Sequence, residues 1–123
     1  MEIIIEPTNQ LPGVEFYDNG NLLLKGRSNP ENANEVYEPL FDFVTDLESP
    51  VVKFDIKLKY FNTASSKMMM QLFNYLELNK KIQDIRINWY YEEGDEDSKE
   101  VAEIFEENLS RCQFSFIIAK LTD

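Results

Sequence analysis

VVKFDIKLKYFNTASSKMMMQLFNYLELNK, residues 51–80, decides the fold. Its first part alternates. Val52, Phe54, Ile56, Leu58 and Tyr60 interleave with Lys53, Asp55, Lys57 and Lys59, a period of two that predicts a long strand with one buried and one wetter face. Its second part changes period. Met68, Met69, Leu72, Phe73 and Leu76 recur at helical spacing, so a helix follows and runs to about Lys80. Between them lie Asn62, Thr63, Ser65 and Ser66, more small polar residues than one helix cap requires.

Working outward, the same alternation of strand and helix recurs. Toward the N-terminus, Ile3–Glu6 is a short apolar run stopped by Pro7, an edge strand. Val14–Asp18 and Leu22–Lys25 flank Asn19-Gly20-Asn21, a strong hairpin signal. Residues 26–34, GRSNPENAN, are turn-rich. Val36, Tyr37, Leu40, Phe41, Val44 and Leu47 then mark a buried helix face, with Pro39 expected to kink this helix or to lie near its first turn. Toward the C-terminus, Ile85, Ile87, Trp89 and Tyr91 alternate with Arg86, Asn88 and Tyr90. The acidic stretch EEGDEDSKE leads into a helix with Asp97 and Glu100 at capping-box spacing and Val101, Ile104, Phe105 and Leu109 as its apolar stripe. Phe114, Phe116 and Ile118 suggest a last strand.

This order predicts one α/β domain spanning 1–123. Its mixed sheet has an N-terminal hairpin and a parallel βαβ second half. The alternating strands imply helices mainly on one face.

Composition narrows the function. The chain has 123 residues and a net charge of −11, from 12 basic and 23 acidic side chains, which disfavours nucleic acid and anionic membranes as partners. It contains no run long and apolar enough for a membrane span. Its first residues lack the basic region of a secretory signal, and Cys112 is the only cysteine, so a reduced cytoplasmic setting is expected. Histidine is absent, which removes the commonest general base and metal ligand. Neither GxxxxGK[ST] nor GxGxxG occurs. No EF-hand frame fits the acidic loop. The 23 carboxylates could supply an acid/base pair, but so many carry no specific signal, and no cofactor motif is found.

The joint at 62–66 stands out. A helix N-terminus presents unpaired N–H groups and partial positive charge, and a phosphate fits there. Lys67, one turn on, is a candidate countercharge. Capping hydroxyls are commoner than phosphoacceptors, so pattern alone favours Thr63 or Ser65 as a plain cap.

FDIKLKYFNTASSKMMMQLFNYLE resembles the signature of the SiaC-type regulatory phosphoprotein domain, in which a hydrophobic strand ends in Tyr-x-Asn-Thr-[Ser/Ala]-Ser before a helix. SNPENANEVYEPLFDFV and INWYYEEGDEDSKEVAEIFEE resemble two further segments of that family, so the similarity runs from about Gly13 to Phe116. The resemblance implies a protein without catalysis of its own. A cognate serine/threonine kinase phosphorylates Thr63, a PP2C-type phosphatase reverses it, and the phosphorylation state sets binding to a downstream signalling enzyme such as a diguanylate cyclase. Asn62 would shape the loop; Ser65 and Ser66 would help cap the helix and contact a partner. The layout is also similar to anti-sigma-factor antagonists, which leaves a transcription regulator of that type as the alternative. Pro39 departs from the family pattern by interrupting the first helix.

Overall fold

A computed structural model describes residues 1–122. Its elements run β1 (Ile3–Ile5), β2 (Gly13–Phe16), β3 (Asn21–Ser28), α1 (Ala33–Asp46), β4 (Val51–Phe61), α2 (Thr63–Leu78), β5 (Asp84–Tyr91), α3 (Glu96–Glu107) and β6 (Cys112–Ile118). The strands form one sheet in chain order, β1-β2-β3-β4-β5-β6. The first three pair antiparallel and β3 through β6 pair parallel, each parallel step bridged by one helix. The expected mixed sheet with hairpin and βαβ half is therefore present.

All three helices lie on one face. Phe16, Leu22, Phe54 and Ile87 are register partners across four strands and point the same way. Rings from each helix meet residues of this face: Phe43 of α1 meets Phe16 (5.6 Å), Phe73 of α2 meets Phe54 (5.9 Å), and Phe105 of α3 meets Trp89 (5.9 Å). These edge-on and tilted contacts add to the area burial that holds the core. The opposite face carries Lys25, Lys53, Asp55, Lys57, Arg86 and Tyr90 and no helix. There Lys57 Nζ sits 4.8 Å from the Tyr90 ring centre.

Several boundaries differ from expectation, for physical reasons. The hairpin closes with a three-residue loop: Tyr17 N donates to Asn21 O (3.0 Å) and Gly20 N to Tyr17 O (3.0 Å). Gly20 takes φ +93°, the left-handed conformation this loop needs. β3 runs on to Ser28, through residues expected to be loop, because Gly26 at φ +87° absorbs a register shift opposite Lys59. That bulge ends the alternation in β4. Tyr60 turns out of the core (43% exposed) and Phe61 turns in against Trp89 (5.7 Å).

In α1, Pro39 lies well inside the helix rather than in its first turn, and sits on the exposed side, where its missing N–H costs least. In α3 the cap is Asp95, not Asp97: its Oδ1 accepts from Ser98 N at 3.2 Å. Ser98, Ala102 and Phe105 are buried, Val101 and Leu109 pack partly against the core, and of the expected stripe Ile104 turns out, 57% exposed.

Two polar side chains finish the helix ends. Asn79, just past α2, donates from Nδ2 to Val44 O and Leu47 O (both 2.8 Å), satisfying carbonyls left open at the C-terminus of α1. Arg111 donates to Glu77 O, Asn79 O and Ile82 O at 2.8–3.1 Å and so closes the C-terminus of α2. Glu77 in turn accepts from the backbone N–H groups of Arg111 (2.6 Å) and Cys112 (2.8 Å). Burial alone would raise the Glu77 carboxyl, but these donors outweigh it and hold it below the usual range. The Cys112 thiol is buried, and burial with the nearby Glu77 carboxylate pushes it far up, so it stays protonated and inert.

Candidate functional site at the start of the second helix

The joint between β4 and α2 is built around Asn62. Its backbone is extended and its Oδ1 accepts from Ser65 N at 2.8 Å, which makes it the N-cap of α2. The expected caps, Thr63 and Ser65, are not used. Chain geometry places the helix start at Thr63, so the residue before it does the capping. Asn62 also anchors the joint: its N–H donates to Ser28 O (3.0 Å) and its Nδ2 to Asn29 Oδ1 (3.1 Å). The loop after β3 and the start of α2 are thereby tied together.

The three hydroxyls of the joint have three different surroundings. Ser65 is fully buried. Its Oγ donates to Ser28 O (3.0 Å) and lies 2.7 Å from Ser28 Oγ, which lies 2.8 Å from the Tyr37 hydroxyl. This chain joins α2, β3 and α1 inside the core, and burial pushes the Tyr37 phenol above its usual value. Ser65 was expected to face a partner; it faces inward, as the third residue of a helix whose first turn crosses the end of β3. Ser66 donates from Oγ to Thr63 O at 2.8 Å. Thr63 is exposed, is the first residue of α2, and its hydroxyl has no hydrogen-bond partner among the described residues. Lys67 is exposed, one helical turn beyond Thr63.

Thr63 opens onto a cleft of about 360 Å³, lined by Lys59, Tyr60, Asn62 and Ser66 on one side and by Asp95, Asp97 and Ser98 on the other. The cleft lies where the N-termini of α2 and α3 meet beyond the C-terminal ends of the interior strands β4 and β5. Their partial positive charges favour an anion there, and the two aspartates oppose it. The bulge in β4 brings Lys59 to this cleft, away from the open sheet face where strict alternation had set it.

Sequence reasoning placed Tyr37 on the buried face of α1 but missed its hydroxyl bond to Ser28, and it missed Asp95 as a cap and the cleft-facing role of Lys59. One signal was available: Ser28 falls at an inward position of β3, in step with Leu22 and Leu24, where a polar side chain must find a buried partner.

Known proteins share this sequence pattern and this fold. The family described as SiaC family regulatory phosphoprotein matches residues 5–119. An uncharacterized protein of Pseudomonas aeruginosa (strain UCBPP-PA14) is 31% identical over 123 residues, covering 95% of this chain and 94% of the relative. Among solved structures, SiaC of Pseudomonas aeruginosa superposes with a TM-score of 0.78 at 27% identity, covering 97% of this chain and 98% of that one. A second, of diguanylate cyclase SiaD in complex with its activator SiaC from Pseudomonas aeruginosa, matches with a TM-score of 0.76 at 28% identity, covering 96% and 97%. The chain belongs to the SiaC family of regulatory phosphoproteins.

Proposed function

We propose that the chain is a non-catalytic switch whose phosphorylation on Thr63 controls docking to a diguanylate cyclase. A cognate serine/threonine kinase adds the phosphoryl group and a PP2C-type phosphatase removes it. The observation that carries the reading is the sorting of the three hydroxyls. Ser65 is locked in the core and Ser66 is bonded to its own helix, whereas Thr63 is presented outward at a fixed helix start. A kinase needs an accessible hydroxyl on a chain segment it can recognise, and only Thr63 combines exposure with an unengaged oxygen.

The mechanism is local. The phosphoryl group adds up to about two negative charges and three acceptor oxygens at the first residue of α2. The helix N-terminus and Lys67 attract it; Asp95 and Asp97 across the cleft repel it. The charge and shape of the cleft therefore change while the core, closed off by the Ser65–Ser28–Tyr37 chain, does not. A partner that reads this cleft distinguishes the two states. The SiaC seen with SiaD supports the choice of a diguanylate cyclase as that partner.

Co-purification from the native host tests the reading. Wild type is expected to capture a diguanylate cyclase in a manner that depends on phosphatase treatment, and Thr63→Ala is expected to lose that dependence. Capture of an anti-sigma factor in its place would favour the transcriptional alternative, and phosphatase-independent capture by wild type would refute the switch.

A further inference from the structure

At the other end of β3 from Thr63, a groove of about 830 Å³ runs between the edge strand β1 and the last turns of α1. Its apolar lining is Ile3, Pro39, Phe43 and Leu47, and its carboxylates are Asp18, Asp42, Asp46 and Glu48. The helix shows why these two sets lie side by side. Pro39, Phe43 and Leu47 follow one another at i, i+4, i+8, a row along α1 and its C-cap. Glu38, Asp42 and Asp46 form the adjacent row at the same spacing.

The acidic row is electrostatically frustrated. Like charges at i, i+4 repel, and α1 contains no lysine or arginine to separate them. Asp46 also sits in the last turn, where the helix end is already partly negative. Two of the groove carboxylates have local partners: Glu48 holds Lys81 (2.9 Å) and Asp18 accepts from the Met1 amino group (2.9 Å). Asp42 and Asp46 form no hydrogen bond or ion pair among the described residues, and only the more distant Lys81 attracts Asp46. Beside them, Pro39 is exposed and Phe43 only partly buried.

We propose that this groove docks a basic amphipathic helix of a partner protein. Parallel apolar and acidic rows, each with one residue per turn, match a helix bearing apolar and basic rows at the same interval. Docking would cover Pro39 and the open part of Phe43, with Leu47 already buried beneath them, and supply the cations that α1 lacks. The net charge of −11 steers such a helix toward the protein before contact. The inference is independent of phosphorylation at Thr63 and of which enzyme the chain regulates.

The probe is a synthetic helix of about 18 residues built from Leu, Ala and Lys, with its Lys→Glu counterpart as control. Isothermal titration measures binding, and amide shifts in NMR spectra locate it. Wild type is expected to bind the cationic helix, with shifts concentrated in α1 and β1, and not the anionic one. The double variant Asp42→Asn/Asp46→Asn is expected to weaken binding at least roughly fivefold. Glu103→Gln/Glu107→Gln, an equal charge change at exposed positions of α3, is expected to leave it nearly unchanged. Absence of binding, equal loss in both double variants, or shifts centred away from α1 would each overturn the proposal.

Discussion

Replacing Ser65 and Thr63 by alanine separates the structural hydroxyl of the joint from the presented one. Ser65→Ala removes a fully buried Oγ that donates to Ser28 O at 3.0 Å and pairs with Ser28 Oγ at 2.7 Å. Two such bonds contribute about 1 kcal/mol each. Neither partner is left wholly unsatisfied, since Ser28 O still accepts from Asn62 N and Ser28 Oγ still meets Tyr37. Alanine's better helix propensity offsets about 0.5 kcal/mol, for a net loss of about 1.5 kcal/mol. With an unfolding entropy of about 2.1 cal/mol/K per residue, the 123-residue chain loses about 0.26 kcal/mol per degree. Ser65→Ala should therefore lower Tm by about 6 °C. Thr63→Ala touches an exposed side chain without partners and should change Tm by no more than about 2 °C. Differential scanning calorimetry of both variants decides. Equal losses, or a neutral Ser65→Ala, would refute the assignment of Ser65 to the core and Thr63 to the surface.

Three further outcomes follow from other parts of the fold. Asn79→Ala removes two 2.8 Å donors from the end of α1 and leaves buried carbonyls open; urea unfolding should show a loss of about 2–3 kcal/mol. Gly20→Ala forces a Cβ onto Val51 O and Ser49 Oγ at a positive φ, and should cost more than about 1 kcal/mol in the same assay. Glu77 has a folded carboxyl held below the usual value of 4.5, so its contribution is complete at neutral pH and disappears as pH falls from near 4.5 through the lower folded value. Glu77→Gln should accordingly lose stability at pH 7 and show a flatter decline toward pH 3 than wild type, as read from urea midpoints across that range.

Much of this architecture was legible in residues 51–80 and their neighbours. Strict alternation in β4 and β5 gave the one-sided helix layer, because a strand that is wet on alternate positions cannot be covered twice. Departures cluster where a single backbone event changes the period. The bulge opposite Gly26 moved Lys59, Tyr60 and Phe61, and no side-chain pattern records a bulge before the partner strand is known. The start of α3 shifted by two residues because Asp95, Asp97 and Ser98 are all competent caps. Local sequence does not rank them; packing of Ser98 Oγ beneath Trp89 Nε1 (3.0 Å) does. The strand-to-helix joint at Asn62 and Thr63 was legible from the change of period. The inward turn of Ser65 was not, since it depends on Ser28 and Tyr37 arriving from separate elements.

The central claim is that Thr63 is the accepting hydroxyl. Trypsin cleavage after Lys59 and Lys67 releases Tyr60–Lys67, a single peptide that contains Thr63, Ser65 and Ser66. Fragment mass spectrometry of this peptide, after treatment of the folded protein with its cognate kinase, reads all three hydroxyls at once. The account predicts one phosphoryl group, on Thr63, and an unmodified peptide from Thr63→Ala. A phosphoryl group on Ser66 or Ser65, or undiminished modification of Thr63→Ala, would contradict it.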